Sequence, residues 1–115
     1  MCEILEMKTV VFKNINYSVG FFLLSDVTED EFLCFICIKH LYSVGEVLYI
    51  MCHFCTTIRY DKKFNSYVVK YAQNFITLQL SSLKYEHPVS ATVFERETHI
   101  VPHHYCCIEF GYCDV

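Results

Sequence analysis

Residues 32–38, Phe-Leu-Cys-Phe-Ile-Cys-Ile, are an uninterrupted apolar run between a polar stretch at 25–30 and a turn signal at 41–45. That length and those flanks fit a strand buried on both faces. The surrounding sequence agrees, because Tyr, Phe, Ile, Val and Thr dominate the central region and suit a pleated, half-buried surface. With 115 residues, 54% of them hydrophobic, and only three Gly and two Pro, the chain makes one domain around one core.

Alternation and turn chemistry extend the strand reading. Residues 8–13 form a short β-rich run, 14–16 a turn, and 17–24 the first full strand. After the buried run, 41–45 turns the chain, 46–58 reads as a long strand, 59–65 as a charged loop and 66–71 as another strand. Over 74–80, Phe75, Thr77 and Gln79 alternate with Ile76, Leu78 and Leu80, the pattern of a half-buried strand. Val68, Ala72, Phe75, Ile76 and Leu83 also approach a helical period, so a helix is the rival there. Residues 89–94 and 104–110 read as two further strands separated by 96–102.

Two Cys-x-x-Cys pairs stand in this frame, Cys34/Cys37 and Cys52/Cys55. Two sulfurs on one zinc must approach within roughly 4 Å of each other, whereas residues i and i+3 of a strand point to opposite faces about 10 Å apart. The pairs are therefore read as structural, with no metal and no cofactor expected. A thioredoxin-like role for Cys52-His53-Phe54-Cys55 would need a helix N-terminus at the first thiol, and a strand provides none. If the two runs form a hairpin turning between Val44 and Gly45, Cys37 falls opposite Cys52 and Cys34 opposite Cys55. Near the C-terminus His103, His104, Cys106, Cys107 and Cys113 are metal-capable residue types, but adjacent strand positions alternate faces. Buried Cys and exposed His are expected there.

No apolar run approaches the roughly 18 residues of a membrane-spanning helix, and the acidic opening Met1-Cys2-Glu3-Ile4-Leu5-Glu6 does not read as a secretory signal. An intracellular protein, in cytoplasm or nucleus and away from membranes, is the expectation; reducing conditions there disfavour a disulfide framework from the eight cysteines. A net charge of −4 excludes a general electrostatic grip on nucleic acid, so any such binding has to be local. The charges segregate, with Asp26, Glu29, Asp30 and Glu31 early and Arg59, Lys62 and Lys63 mid-chain around Asp61. Abundant Asn, Ile, Phe, Tyr and Lys suit an AT-rich genome, such as a viral or parasitic one.

Residues 12–71 carry a further pattern: Asn14 or Asn16 before Tyr17-Ser18-Val19, then Val44-Gly45-Glu46, then Tyr60-Asp61-Lys62-Lys63-Phe64 with Val68 or Val69 beyond. This order resembles the small OB-type domain at the N-terminus of RecD-like helicases. The chain departs from the family in having Asp61 for a Gly and Lys63 for a Gln, and it has no Gly-rich phosphate loop and no room for a motor. The resemblance implies an all-β or β-rich fold, an OB-like barrel of five to seven strands over residues 8–80, with 81–115 as a β extension. It also implies a non-catalytic module that binds single-stranded nucleic acid by stacking bases beside cations. The residues it points to are Tyr60, Phe64 and Tyr67 as stacking rings, with Arg59, Lys62, Lys63 and Lys70 as phosphate partners. The competing expectation is a protein-interaction domain, for instance a viral one docking a host factor, that uses the acidic 26–31 loop or an apolar edge.

Overall fold

The computed structural model describes residues 3–27 and 33–101. Its strands are β1 (Ile4–Met7), β2 (Thr9–Phe12), β3 (Ile15–Ser18), β4 (Phe22–Val27), β5 (Leu33–Val44), β6 (Val47–Asp61), β7 (Ser66–Gln79), β8 (Ser90–Phe94) and β9 (Glu97–Val101). One turn of 3-10 helix, Leu80–Ser82, follows β7, and no described helix is long and apolar enough to cross a membrane. The class is all-β and antiparallel. β1-β5-β6-β7-β9-β8 form one sheet, with β4 sharing an edge of β5 with β1, while β2 and β3 make a separate hairpin. This sheet is not closed by a ladder; one bridge, Phe22 to Val89, links β4 to the approach to β8.

The turns follow from backbone chemistry. Two-residue hairpins whose central residues both have positive φ match the strand twist, and Lys13-Asn14 and Glu95-Arg96 are of this kind. Gly45 supplies the single positive φ of the tight turn between β5 and β6, which joins Val44 to Val47 across Gly45-Glu46. Between β6 and β7, Asp61 Oδ1 accepts the backbone N–H groups of Lys63 and Phe64, and Asn65 closes the turn at positive φ.

Several boundaries differ from expectation, each for a local reason. The 14–16 turn is Lys13-Asn14, and residues 17–24 are two strands broken at Val19-Gly20, where Gly20 has φ +96° and Phe21 N–H reaches Ser18 O. Residues 41–44 continue β5, and Arg59–Asp61 continue β6 instead of starting a loop. The segments at 66–71 and 74–79 are one strand, β7, which excludes an α-helix there, while Leu80 opens the 3-10 turn. Glu97–Val101, expected as a separator, is β9. The expected strand at 104–110 and the cluster His103, His104, Cys106, Cys107, Cys113 lie outside the described residues.

The cysteine register also needs correction. Cys37 faces His53, not Cys52, while Cys52 faces Ile38 and Cys55 faces Phe35. A two-residue turn and a bulge at Lys39, between Ile38 and His40, shift the pairing.

Both faces of the centre of this sheet are covered, as the 32–38 run predicts; the buried stretch starts at Leu33 among described residues. On what we term the inner face, Phe22, Leu24, Phe35, Cys37, Cys55 and Val69 pack with Tyr85, Val89 and Ile100. On the outer face, Leu23, Ile36, Ile38, Leu41, Ile50 and Cys52 pack beneath Tyr17 and Leu80, flanked by Val10, Phe12 and Ile15 of the β2–β3 hairpin. Tyr17 is pinned there because its hydroxyl donates to Glu86 O at 2.7 Å, and burial, then Glu86, pushes its pKa up to about 12. Residues 81–101 thus contribute Tyr85, Val89 and Ile100 to the same cluster as Phe35.

Candidate nucleic-acid interface

The seven residues singled out from sequence do not share a surface. Tyr60 pairs across the ladder with Tyr67, and their rings meet edge to face at 5.1 Å. Tyr67 is half-buried, tilted against Phe35 at 5.9 Å on the inner face. Phe64 turns the other way, onto Phe94 at 5.0 Å and His99 at 5.6 Å. Lys70 is also on the outer side, since it is an odd number of residues from Tyr67 along an extended strand. Arg59 makes two 2.8 Å bonds to Glu97, which raise its pKa and hold the Glu97 carboxyl below its ordinary value. Lys62 and Lys63 are exposed in the turn, with Lys63 Nζ 5.5 Å from the Phe64 ring.

Beneath Phe64, His99 is 2% exposed and its Nδ1 lies 2.8 Å from Ser66 Oγ, with Nε2 buried and unpartnered. Ser66 is itself fully buried, so this pair ties β7 to β9 and presents no nucleophile. Of the acidic group, Asp26 lies 3.8 Å from Lys84, and Glu29, Asp30 and Glu31 are outside the described residues.

A different surface emerges at the other end of the sheet. Strands β5, β6 and β7 run 12, 15 and 14 residues, longer than the inner core needs, so their inner face continues beyond it. There His53 stacks on Phe75 (4.4 Å, 6°) and on Tyr71 (4.9 Å, 13°). Phe75 is 55% exposed and Tyr71 46%. Lys39 Nζ sits 4.4 Å from the Tyr71 ring centroid, and the Tyr71 hydroxyl donates to Cys37 Sγ at 3.9 Å at the margin of the core. Burial first, then Cys37, pushes the Tyr71 pKa up to about 12. Further along the same face Tyr42 and Tyr49 stack at 5.5 Å. Tyr49 lies four residues from His53 on β6, or about 13 Å, with Tyr42 opposite it on β5.

Two irregularities assemble this surface. From His53 to Cys55, β6 advances two positions while β7 runs from Phe75 back to Tyr71, so both rings reach His53. The bulge at Lys39 puts Lys39 and His40 on one side of β5, where His40 Nδ1 meets Glu6 at 2.7 Å. The alternation of Phe75, Thr77 and Gln79 against Ile76 and Leu78 pointed to half of it, with the first three exposed and the other two half-buried. Nothing local in the sequence signals the bulges.

Among the described cysteines, Cys37, Cys52 and Cys55 are buried and Cys34 is half-buried. Burial, with neighbouring Cys37, pushes the thiols of Cys52 and Cys55 up to about 12, and burial also raises Cys37 and Cys34. Among the described residues no group of three or more His, Cys, Asp or Glu is disposed to hold a metal ion. Comparison with known proteins finds no similar family, curated protein or solved structure.

Proposed function

We propose that this protein is a non-catalytic module that binds single-stranded nucleic acid on the open inner face of β5, β6 and β7. The observation that carries it is the ring column Tyr71–His53–Phe75, partly exposed and with Lys39 at its Tyr71 end. Unpaired bases stack on exposed rings whatever their sequence, at about 1–3 kcal/mol per base, and a duplex hides its base faces. A local site of this kind is compatible with a net charge of −4, because stacking supplies the affinity that a general electrostatic grip does not.

We read the covered end of the sheet as OB-like, supported by the contact of Phe35 with Tyr67 and by the Phe22–Val89 bridge. The charged turn, with Lys62, Lys63 and Tyr60, is the competing site for the strand. Protein docking is the rival function, favoured by the wholly exposed β8 edge with Val93 and Phe94.

Fluorescence anisotropy with a labelled oligothymidine at low and moderate salt tests the proposal. The expected result is binding to the single strand over its duplex, weakened between about fivefold and a hundredfold by Phe75→Ala. Lys62→Ala with Lys63→Ala then leaves affinity largely intact. No binding at tens of micromolar protein in low salt removes the nucleic-acid reading and leaves protein docking.

A further inference from the structure

Beside the ring column lies a cleft of about 840 Å³, formed where the β1–β2 connection and the break between β3 and β4 approach the bulged part of β5. Lys8, Lys39 and His40 bring basic groups to its lining, and the acid there, Glu6, is already engaged by His40. With His40 neutral, Lys8 and Lys39 outweigh Glu6 and leave the recess formally positive in a chain of net charge −4.

Both lysines are placed by backbone, not by chance of a long side chain. Val19 N–H donates to Lys8 O at 3.0 Å, tying Lys8 to the β3–β4 break, and Lys39 is the bulged residue of β5. Ser18 Oγ and Thr9 Oγ1, 3.0 Å apart, add hydroxyls to the wall. Lys39 belongs to two settings at once, lining the cleft and standing over Tyr71.

We infer that this cleft is a phosphate seat, in which Lys8 and Lys39 hold a backbone phosphodiester of the single strand whose bases stack on the neighbouring ring column. This rests on the stacking reading above and adds to it where the strand's backbone runs. Because the contact is ionic, it contributes to the salt dependence of binding, whereas Phe75 contributes to affinity alone.

Two measurements on the full chain test the seat separately from the stacking. Lys8→Ala is expected to lower the slope of log affinity for oligothymidine against log salt by about 0.7, the share of one phosphate contact on a single strand. Lys8→Arg preserves the slope, and Phe75→Ala weakens binding without changing it. Titration with inorganic phosphate, followed by backbone amide NMR, is expected to move the resonances of Lys8, Ser18 and Lys39 and not those of the turn at 62–65. If oligothymidine binds and Lys8→Ala leaves the slope unchanged, the seat is overturned while stacking stands. If oligothymidine does not bind but phosphate still moves these amides, stacking falls and the anion site stands.

Discussion

Strands β5, β6 and β7 present one continuous inner face with two fates. At one end Phe35, Cys37, Cys55 and Val69 are roofed by Tyr85 and Val89 from the crossing after β7 and by Ile100 of β9. At the other end Tyr42, Tyr49, His53, Tyr71 and Phe75 occupy the same face, and β1 adds only an edge strand beside β5. Rings occur in both halves, with Phe35 and Tyr67 at the covered end, so an aromatic side chain does not by itself become core. The covering segment decides it, and rings beyond its reach stack on each other and on lysine.

The largest expected effect contrasts two phenylalanines on this face. Phe35→Ala removes a fully buried ring and is expected to lose about 3–5 kcal/mol in urea unfolding, whereas Phe75→Ala stays within about 0.5 kcal/mol of the parent. Equal losses would make the open half another core and end the comparison.

Thiol reactivity sharpens it. In the native protein Cys37, Cys52 and Cys55 are expected to resist iodoacetamide at pH 8, because burial holds each protonated well above that pH for Cys52 and Cys55 and upward for Cys37. Half-buried Cys34 reacts ahead of them, as site-resolved mass spectrometry would read. Early labelling of Cys55 would mean that the covered end opens readily.

The smallest effect concerns the clamp between β6 and β9 at the covered end. Bonding to Arg59 lowers the Glu97 pKa on folding, so its stabilisation is full above the unfolded carboxyl value of about 4.3 and is lost as pH falls through the lower folded value. Both partners are exposed, so the contribution is small and screened by salt. Thermal unfolding should show Glu97→Gln converging with the parent as pH falls through this window, and a gap that widens on acidification would contradict that sign.

Much of the scaffold was legible in the sequence for physical reasons. The run at 32–38 gave a two-sided buried strand, and Phe75, Thr77 and Gln79 gave an alternating one, since burial imposes both patterns directly. Register was not legible, because it is set jointly by a turn at Gly45-Glu46 instead of Val44-Gly45 and by the extra residue at Lys39, which leaves no compositional trace. Irregular pairing also hid the site: His53 and Tyr71 meet only through the irregularity in β7, while Lys62 and Lys63 drew attention by charge and by the OB-type resemblance. Glu97 and His99 masked β9, where Arg59 bonds the Glu97 carboxylate and Ser66 bonds one ring nitrogen of His99.

The proposed function requires that the open half of the inner face, not the charged turn, receives the strand. Amide NMR of the full chain during an oligothymidine titration addresses it directly. The account predicts shifts concentrated at residues 39–42, 49–53 and 71–79, with the 62–65 turn little changed. Shifts confined to the turn around Lys62 and Lys63, with Tyr71, His53 and Phe75 unmoved, would contradict it.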